Sequence, residues 1–119
     1  MLMLILISAA HTAGADTVEN EALADAIFKA EGGMKATYYY GIRSVKYDDL
    51  ADARRICINT IRNNRVRYAK WGYKTHDTYL SFLQSRYCPT TGKLSSAERR
   101  LNGNWLRLVK YFLHKKEVT

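Results

Sequence analysis

One carboxyl stands apart from the other acids of this chain. Glu31 lies in Ala30-Glu31-Gly32-Gly33 and is followed at once by Met34-Lys35-Ala36-Thr37-Tyr38-Tyr39-Tyr40-Gly41-Ile42. The residues before it carry a helical period and two glycines directly after it stop a helix, so Glu31 is expected in the last helical turn. Carbonyls of that turn point toward its side chain. The negative end of the helix dipole disfavours ionisation by about 0.3–1 kcal/mol, and any burial acts in the same direction. A carboxyl still protonated near neutral pH is the group needed to protonate the leaving oxygen of a glycosidic bond. The tyrosines that follow offer aromatic faces on which sugars stack, although core and cleft are equally open for each of Tyr38, Tyr39 and Tyr40.

The element that must deliver Glu31 begins near Thr17. Val18, Ala22, Leu23, Ala26, Ile27 and Ala30 recur on one side, with Glu19, Glu21, Asp25 and Lys29 on the other, which is an amphipathic helix. Residues 32–47 have neither a helical period nor clean alternation, so a loop or short hairpin is expected there. Asp48-Asp49 opens a second helix with Leu50, Ala53, Ile56, Cys57, Thr60 and Ile61 on its apolar face; Asp48, Asp49 and Asp52 suit its start and Arg62 and Arg65 its end. A third helix is expected after a Thr75-His76-Asp77 cap, with Tyr79, Leu80, Phe82, Leu83 and Tyr87 inward and Cys88-Pro89 closing it. Thr90 to Lys93 reads as a turn. Ser95 and Glu98 form a capping box for a last helical stretch with Leu101, Trp105, Leu108, Val109 and Phe112 on one face, and Gly103 is a point where that helix can restart.

The chain has 119 residues, enough for one domain with a single core. Its start, Met1-Leu2-Met3-Leu4-Ile5-Leu6-Ile7, is a short apolar run followed by small residues, and Ala13-Gly14-Ala15 has the small-x-small pattern of a signal-peptidase site. Residues 1–15 are therefore expected to be a signal peptide and 16–119 the exported, periplasmic or extracellular domain. Residues 1–15 contain no Asp, Glu, Lys or Arg, so the formal charge of +8 belongs to residues 16–119. Such a charge suits an anionic polymer, whether peptidoglycan with its peptide carboxylates, nucleic acid or an anionic membrane. Two cysteines, Cys57 and Cys88, are an even count in an exported chain, and a disulfide between them is expected, with two buried free thiols as the alternative. His11, His76 and His114 are scattered without ligand spacing, so neither metal nor cofactor is expected.

From Arg54 to Lys74 the chain carries Arg54, Arg55, Arg62, Arg65, Arg67, Lys70 and Lys74 with no acid, interleaved with Tyr68, Trp71 and Tyr73. A solvated helix end followed by a loop anchored by Trp71 accounts for this stretch. It also has the composition of a groove for single-stranded nucleic acid or for a glycan strand bearing carboxylates.

A helix ending in a glutamate at a Gly turn, an aromatic loop reaching Tyr40-Gly41-Ile42, and at least three further helices resemble the lysozyme-like superfamily, in its soluble lytic transglycosylase and goose-type lysozyme branch. Glu31 matches that branch's catalytic glutamate, and Gly41-Ile42 the first half of its Gly-Leu-Met-Gln motif. Gly32 stands where Ser is usual, and Arg43-Ser44 where Met-Gln is usual. Arg86-Tyr87-Cys88-Pro89 is similar to a motif of small exported proteins described as transglycosylase-like, which also share the Ala-Glu-Gly-Gly and Tyr-Gly-Ile sets. The resemblance covers about residues 22–112. It implies a mainly α, single lysozyme-like domain of four or more helices that acts, as a monomer, on peptidoglycan glycan strands. Glu31 would be the acid/base, with Tyr40, Gly41 and Ile42 walling the cleft and Arg43, Tyr73 and Tyr79 holding glycan. Because two-carboxylate glycosidases need their acids about 5–10 Å apart and Asp48 and Asp49 are explained by capping, a single-acid lytic transglycosylase is the expected chemistry. The competing expectation is a non-catalytic basic module that binds glycan or nucleic acid, in which Glu31 is a salt-bridged helix-end carboxylate.

Overall fold

The computed structural model describes residues 18–87 and 95–118. They form a mainly α domain with five α-helices and no strand among the described residues: α1 (Asn20–Ala30), α2 (Leu50–Lys70), α3 (Tyr79–Tyr87), α4 (Ser96–Gly103) and α5 (Trp105–Val118). Single 3₁₀ turns at Gly33–Lys35, Tyr39–Gly41 and Gly72–Lys74 punctuate the connections. No described helix is long and apolar enough to cross a membrane. The expected signal peptide, Cys88-Pro89 and the Thr90–Lys93 turn lie outside the described residues.

α1 is the central element and packs against α5 and α2. Leu23, Ala24, Ala26 and Ile27 are buried, so two small residues sit between two large ones and let the neighbouring helices approach closely. Its N-terminus lacks a side-chain cap of its own. Arg65 of α2 ties down the chain that enters the helix, its guanidinium donating to the Val18 carbonyl and, at 2.7 Å, to Asn20 Oδ1. The same guanidinium lies 4.4 Å from the Tyr79 ring, which joins α1, α2 and α3 through one side chain.

α2 buries Ala53, Cys57, Ile61 and Asn64, a narrow stripe at intervals of four, four and three. Asp49 caps it by accepting from the Asp52 N–H at 2.8 Å, and the Asp52 carboxylate accepts from the Asp48 N–H at 3.2 Å. The helix runs on to Lys70, so the basic stretch is mostly helical rather than loop. Because those residues are distributed around a helix, they do not share a face: Arg54 and Arg65 turn inward to protein partners while Arg62 and Arg67 are exposed. Trp71, the expected anchor, ends the helix 44% exposed with its edge on Phe82.

One boundary differs from expectation, and the restart expected at Gly103 is found. α3 is capped by Thr78, whose hydroxyl accepts from the Ser81 N–H, whereas the Thr75 hydroxyl donates to the Gly72 carbonyl inside the preceding turn. The last helical stretch breaks at Gly103–Asn104. The Ser95–Glu98 capping box forms, but α4 buries none of its residues. The break turns α4 off the core, so Leu101 is 69% exposed and drops out of the face that Trp105 and Val109 continue.

Candidate active site

Glu31 is the residue immediately after α1. Its N–H still donates to the Ile27 carbonyl at 2.9 Å, while Gly32 takes φ +110°, a conformation that ends the helix. The chain then loops back over its own helix end. Tyr38 to Ile42 return so closely that a β-carbon placed on Gly41 would lie 2.7–2.9 Å from the atoms of the Glu31 carboxyl. No side chain fits between them, and Gly41 also has φ +70°. Glycine is required here for both reasons.

Tyr40, just before it, has φ +59° and ψ +14°, a left-handed conformation that is an outlier for a bulky residue and costs about 1–3 kcal/mol. The surroundings hold it there. Its ring is 3% exposed and packs 5.1 Å from Phe28, and its hydroxyl accepts from Arg54 Nη1 at 3.3 Å. Arg54 is in turn fixed by a 2.6 Å ion pair with Asp25 of α1. The Tyr40 carbonyl accepts a hydrogen bond from the Tyr87 hydroxyl.

The carboxyl itself is held from the far side. Trp105, the first residue of α5, donates its indole N–H to Glu31 Oε2 at 2.9 Å. Tyr87 stacks on that indole with ring centroids 5.3 Å apart. A closed circuit results, from Glu31 to Trp105, to Tyr87, to the Tyr40 carbonyl, and back through Gly41 to the carboxyl. Burial raises the Glu31 pKa above its ordinary 4.5, and the Trp105 hydrogen bond, which favours the anion, offsets only part of that. The helix dipole at the end of α1 is expected to act in the same direction. Burial is the principal cause.

The carboxyl opens into a cleft of about 360 Å³ lined by Glu31, Thr37, Tyr38, Gly41, Arg43, Tyr87 and Asn102. Glu31 is the one carboxylate among these residues. Asp49 and Asp52 are engaged at the start of α2, where Asp52 also pairs with Arg55 at 2.5 Å. That ion pair and hydrogen bond, with the Asp48 N–H, hold the Asp52 pKa below its usual value.

Of the residues expected to bind substrate, Gly41 and Arg43 meet Glu31 in the cleft. Ile42 lines an adjoining hollow that Gly41 and Arg43 share. Tyr40 is buried; its side chain belongs to the core and Tyr38 takes the place on the cleft wall. Tyr79 is 1% exposed and donates its hydroxyl to the Ile61 carbonyl at 2.7 Å, so it is a core residue. Tyr73 is exposed on the Gly72–Lys74 turn and lines neither hollow. Cys57 is a buried thiol, 3.7 Å from the Tyr87 hydroxyl, whose pKa burial pushes up to about 12. Cys88, the expected disulfide partner, lies outside the described residues.

The helical period marks Trp105 and Tyr87 as inward-facing, and the resemblance names Tyr87 only as part of Arg86-Tyr87-Cys88-Pro89, so neither is expected beside the Glu31 carboxyl. The available signal was chemical: a buried indole N–H needs an acceptor, and Trp105 has none on its own apolar helix face. The chain matches no protein-family model, and comparison with curated proteins and with solved structures finds no match.

Proposed function

We propose that the protein is a peptidoglycan-cleaving glycosidase of the lytic transglycosylase type, with Glu31 as its single acid and base. What carries the reading is one half-buried carboxyl with a raised pKa, opening into a cleft with no second acid among the described residues that line it. Glycosidases that hydrolyse through a carboxylate pair need both groups within about 5–10 Å across the bond. A single-acid site suits a reaction in which the substrate supplies its own nucleophile.

In that reaction, Trp105 occupies Oε2 as a donor, leaving Oε1 to carry the proton. Glu31 gives this proton to the glycosidic oxygen as the bond from that oxygen to the anomeric carbon breaks. The resulting carboxylate takes a proton from a hydroxyl of the same sugar as that oxygen bonds to the anomeric carbon, closing an anhydro ring. Glu31 ends protonated, ready for the next bond. The Trp105 N–H stabilises the carboxylate formed midway, so it keeps Glu31 from becoming too weak an acid.

Digestion of purified peptidoglycan by the protein beside Glu31→Gln, with released fragments weighed by mass spectrometry, tests the proposal. Anhydro products from the parent alone are expected. Products heavier by one water would make it a hydrolase, and no products from either protein would favour the non-catalytic binding module.

A further inference from the structure

The cleft is continuous with a second hollow of about 180 Å³, which shares Gly41, Arg43 and Tyr87 with it. The two differ in chemistry. The second hollow adds aliphatic Ile42, Val45 and Ile56 and a second cation, Arg86, and no acid is among the described residues that line it. Both guanidinium groups are steadied by aromatic faces, Arg43 at 5.4 Å from the Tyr38 ring and Arg86 at 5.7 Å from Trp71 and 5.9 Å from Phe82. A π contact orients a guanidinium while leaving its in-plane N–H donors for another group. Among the described residues neither forms an ion pair with a carboxylate. Glu98 is the acid that feels Arg43, and its Oε1 accepts from the Ser95 N–H in the α4 cap.

We infer that this hollow takes the carboxylate end of a short peptide with small aliphatic side chains, borne on the same glycan strand whose sugars occupy the Glu31 cleft. The inference rests on the glycan reading of that cleft and adds to it a peptide subsite. Arg43 and Arg86 supply forked donors for a carboxylate, and Ile42, Val45 and Ile56 supply a surface for methyl-bearing side chains. The shared wall at Gly41, Arg43 and Tyr87 lets one branched ligand occupy both spaces. The exposed Trp71 and Tyr73, which the basic stretch offers for base stacking, line neither hollow.

The test uses the full chain carrying Glu31→Gln, so that binding is read without turnover. Three soluble glycan fragments of equal length are titrated: one bearing peptides with free carboxylates, one bearing the same peptides with amidated carboxylates, and one stripped of peptide by an amidase. The free-carboxylate fragment is expected to bind about tenfold tighter than the other two, the scale of one charge-assisted hydrogen bond. Adding Arg86→Ala should bring the ratio close to one, and Arg86→Glu should invert it, with circular dichroism confirming that both variants fold. Equal affinity for the three fragments, or a preference that survives Arg86→Ala, overturns the inference. Cleavage of the stripped fragment by the parent protein is scored separately. Turnover without a peptide preference removes only the peptide subsite, whereas an Arg86-dependent preference without turnover supports the subsite and overturns the glycosidase. Binding to none of the fragments overturns both.

Discussion

Glu31 and Asp52 carry the same functional group at opposite helix ends, and the fold drives them in opposite directions. Asp52 sits in the first turn of α2, where the dipole favours an anion, with the Arg55 guanidinium and the Asp48 N–H upon it, and its pKa falls. Glu31 sits just past the last turn of α1, pressed under Gly41 and screened from water, with the Trp105 indole as its neutral donor, and its pKa rises. One carboxyl is therefore fit to stay charged and hold a helix. The other holds its proton more tightly than an ordinary carboxyl does. The difference in acidity follows from the end of the helix and the amount of water, since the side chains differ by one methylene.

The largest expected effect breaks the comparison at Glu31. Glu31→Gln should lower turnover by about 10²- to 10⁴-fold, the usual scale of a general acid or base, when release of soluble fragments is followed. The same variant should melt higher than the parent at neutral pH. The sign follows from the raised pKa: the folded protein prefers the protonated carboxyl, so stability is fully present below the ordinary value of 4.5 and is lost as pH rises through the folded value. Gln never ionises. The gap between the two melting temperatures should close when the scan is repeated in acid, and a gap independent of pH would mean that burial is not what shifts Glu31.

Gly41→Ala should come next, because the new β-carbon would collide with the carboxyl and the backbone would keep a positive φ. A loss of about 1–3 kcal/mol by urea unfolding is expected, with turnover falling alongside. The comparison sharpens in a Glu31→Ala background. There the collision is absent and only the left-handed backbone, about 1–2 kcal/mol, should remain. Equal losses in both backgrounds would show that Gly41 serves the turn and not the carboxyl.

A smaller effect is expected from Trp105→Phe, which keeps an aromatic ring against Tyr87 and removes the N–H. Since that bond lowers the Glu31 pKa, its loss should move the alkaline limb of the pH–rate profile upward and reduce stability by about 1–2 kcal/mol. A limb that moves downward would contradict the assignment of Trp105 as donor. Asp52→Asn should be the mildest. Its lowered pKa contributes stability above the ordinary 3.8 that is lost as pH falls through the folded value, so any melting difference should be seen at neutral pH and vanish in strong acid. Turnover should not change.

The helices were legible wherever a stripe of apolar residues met a local capping signal. Asp49 and the Ser95–Glu98 pair cap as their spacing suggests, because those bonds join residues three apart and need no partner from elsewhere. Thr78 shows the limit: with Thr75, Asp77 and Thr78 all able to cap, the choice depends on how the Gly72–Lys74 turn packs. Leu101 shows another limit. Its spacing to Trp105 is helical, yet one break at Asn104 takes it off the face. Among Tyr38, Tyr39 and Tyr40 no period distinguishes cleft from core, and the outcome depends on a left-handed Tyr40 that Arg54 and Tyr87 hold from distant helices.

By itself the sequence determined the elements and the end of α1, since helical period, caps and the Gly32 stop are written in neighbouring residues and act over a few ångströms. It thereby placed a carboxyl where the helix dipole opposes its charge. Only the tertiary structure decided what surrounds that carboxyl. Trp105 arrives from 74 residues away, and Tyr87 reaches the Tyr40 carbonyl from 47. Contacts at such separations depend on how whole helices pack, and burial, the main cause of the raised Glu31 pKa, exists only once they have done so.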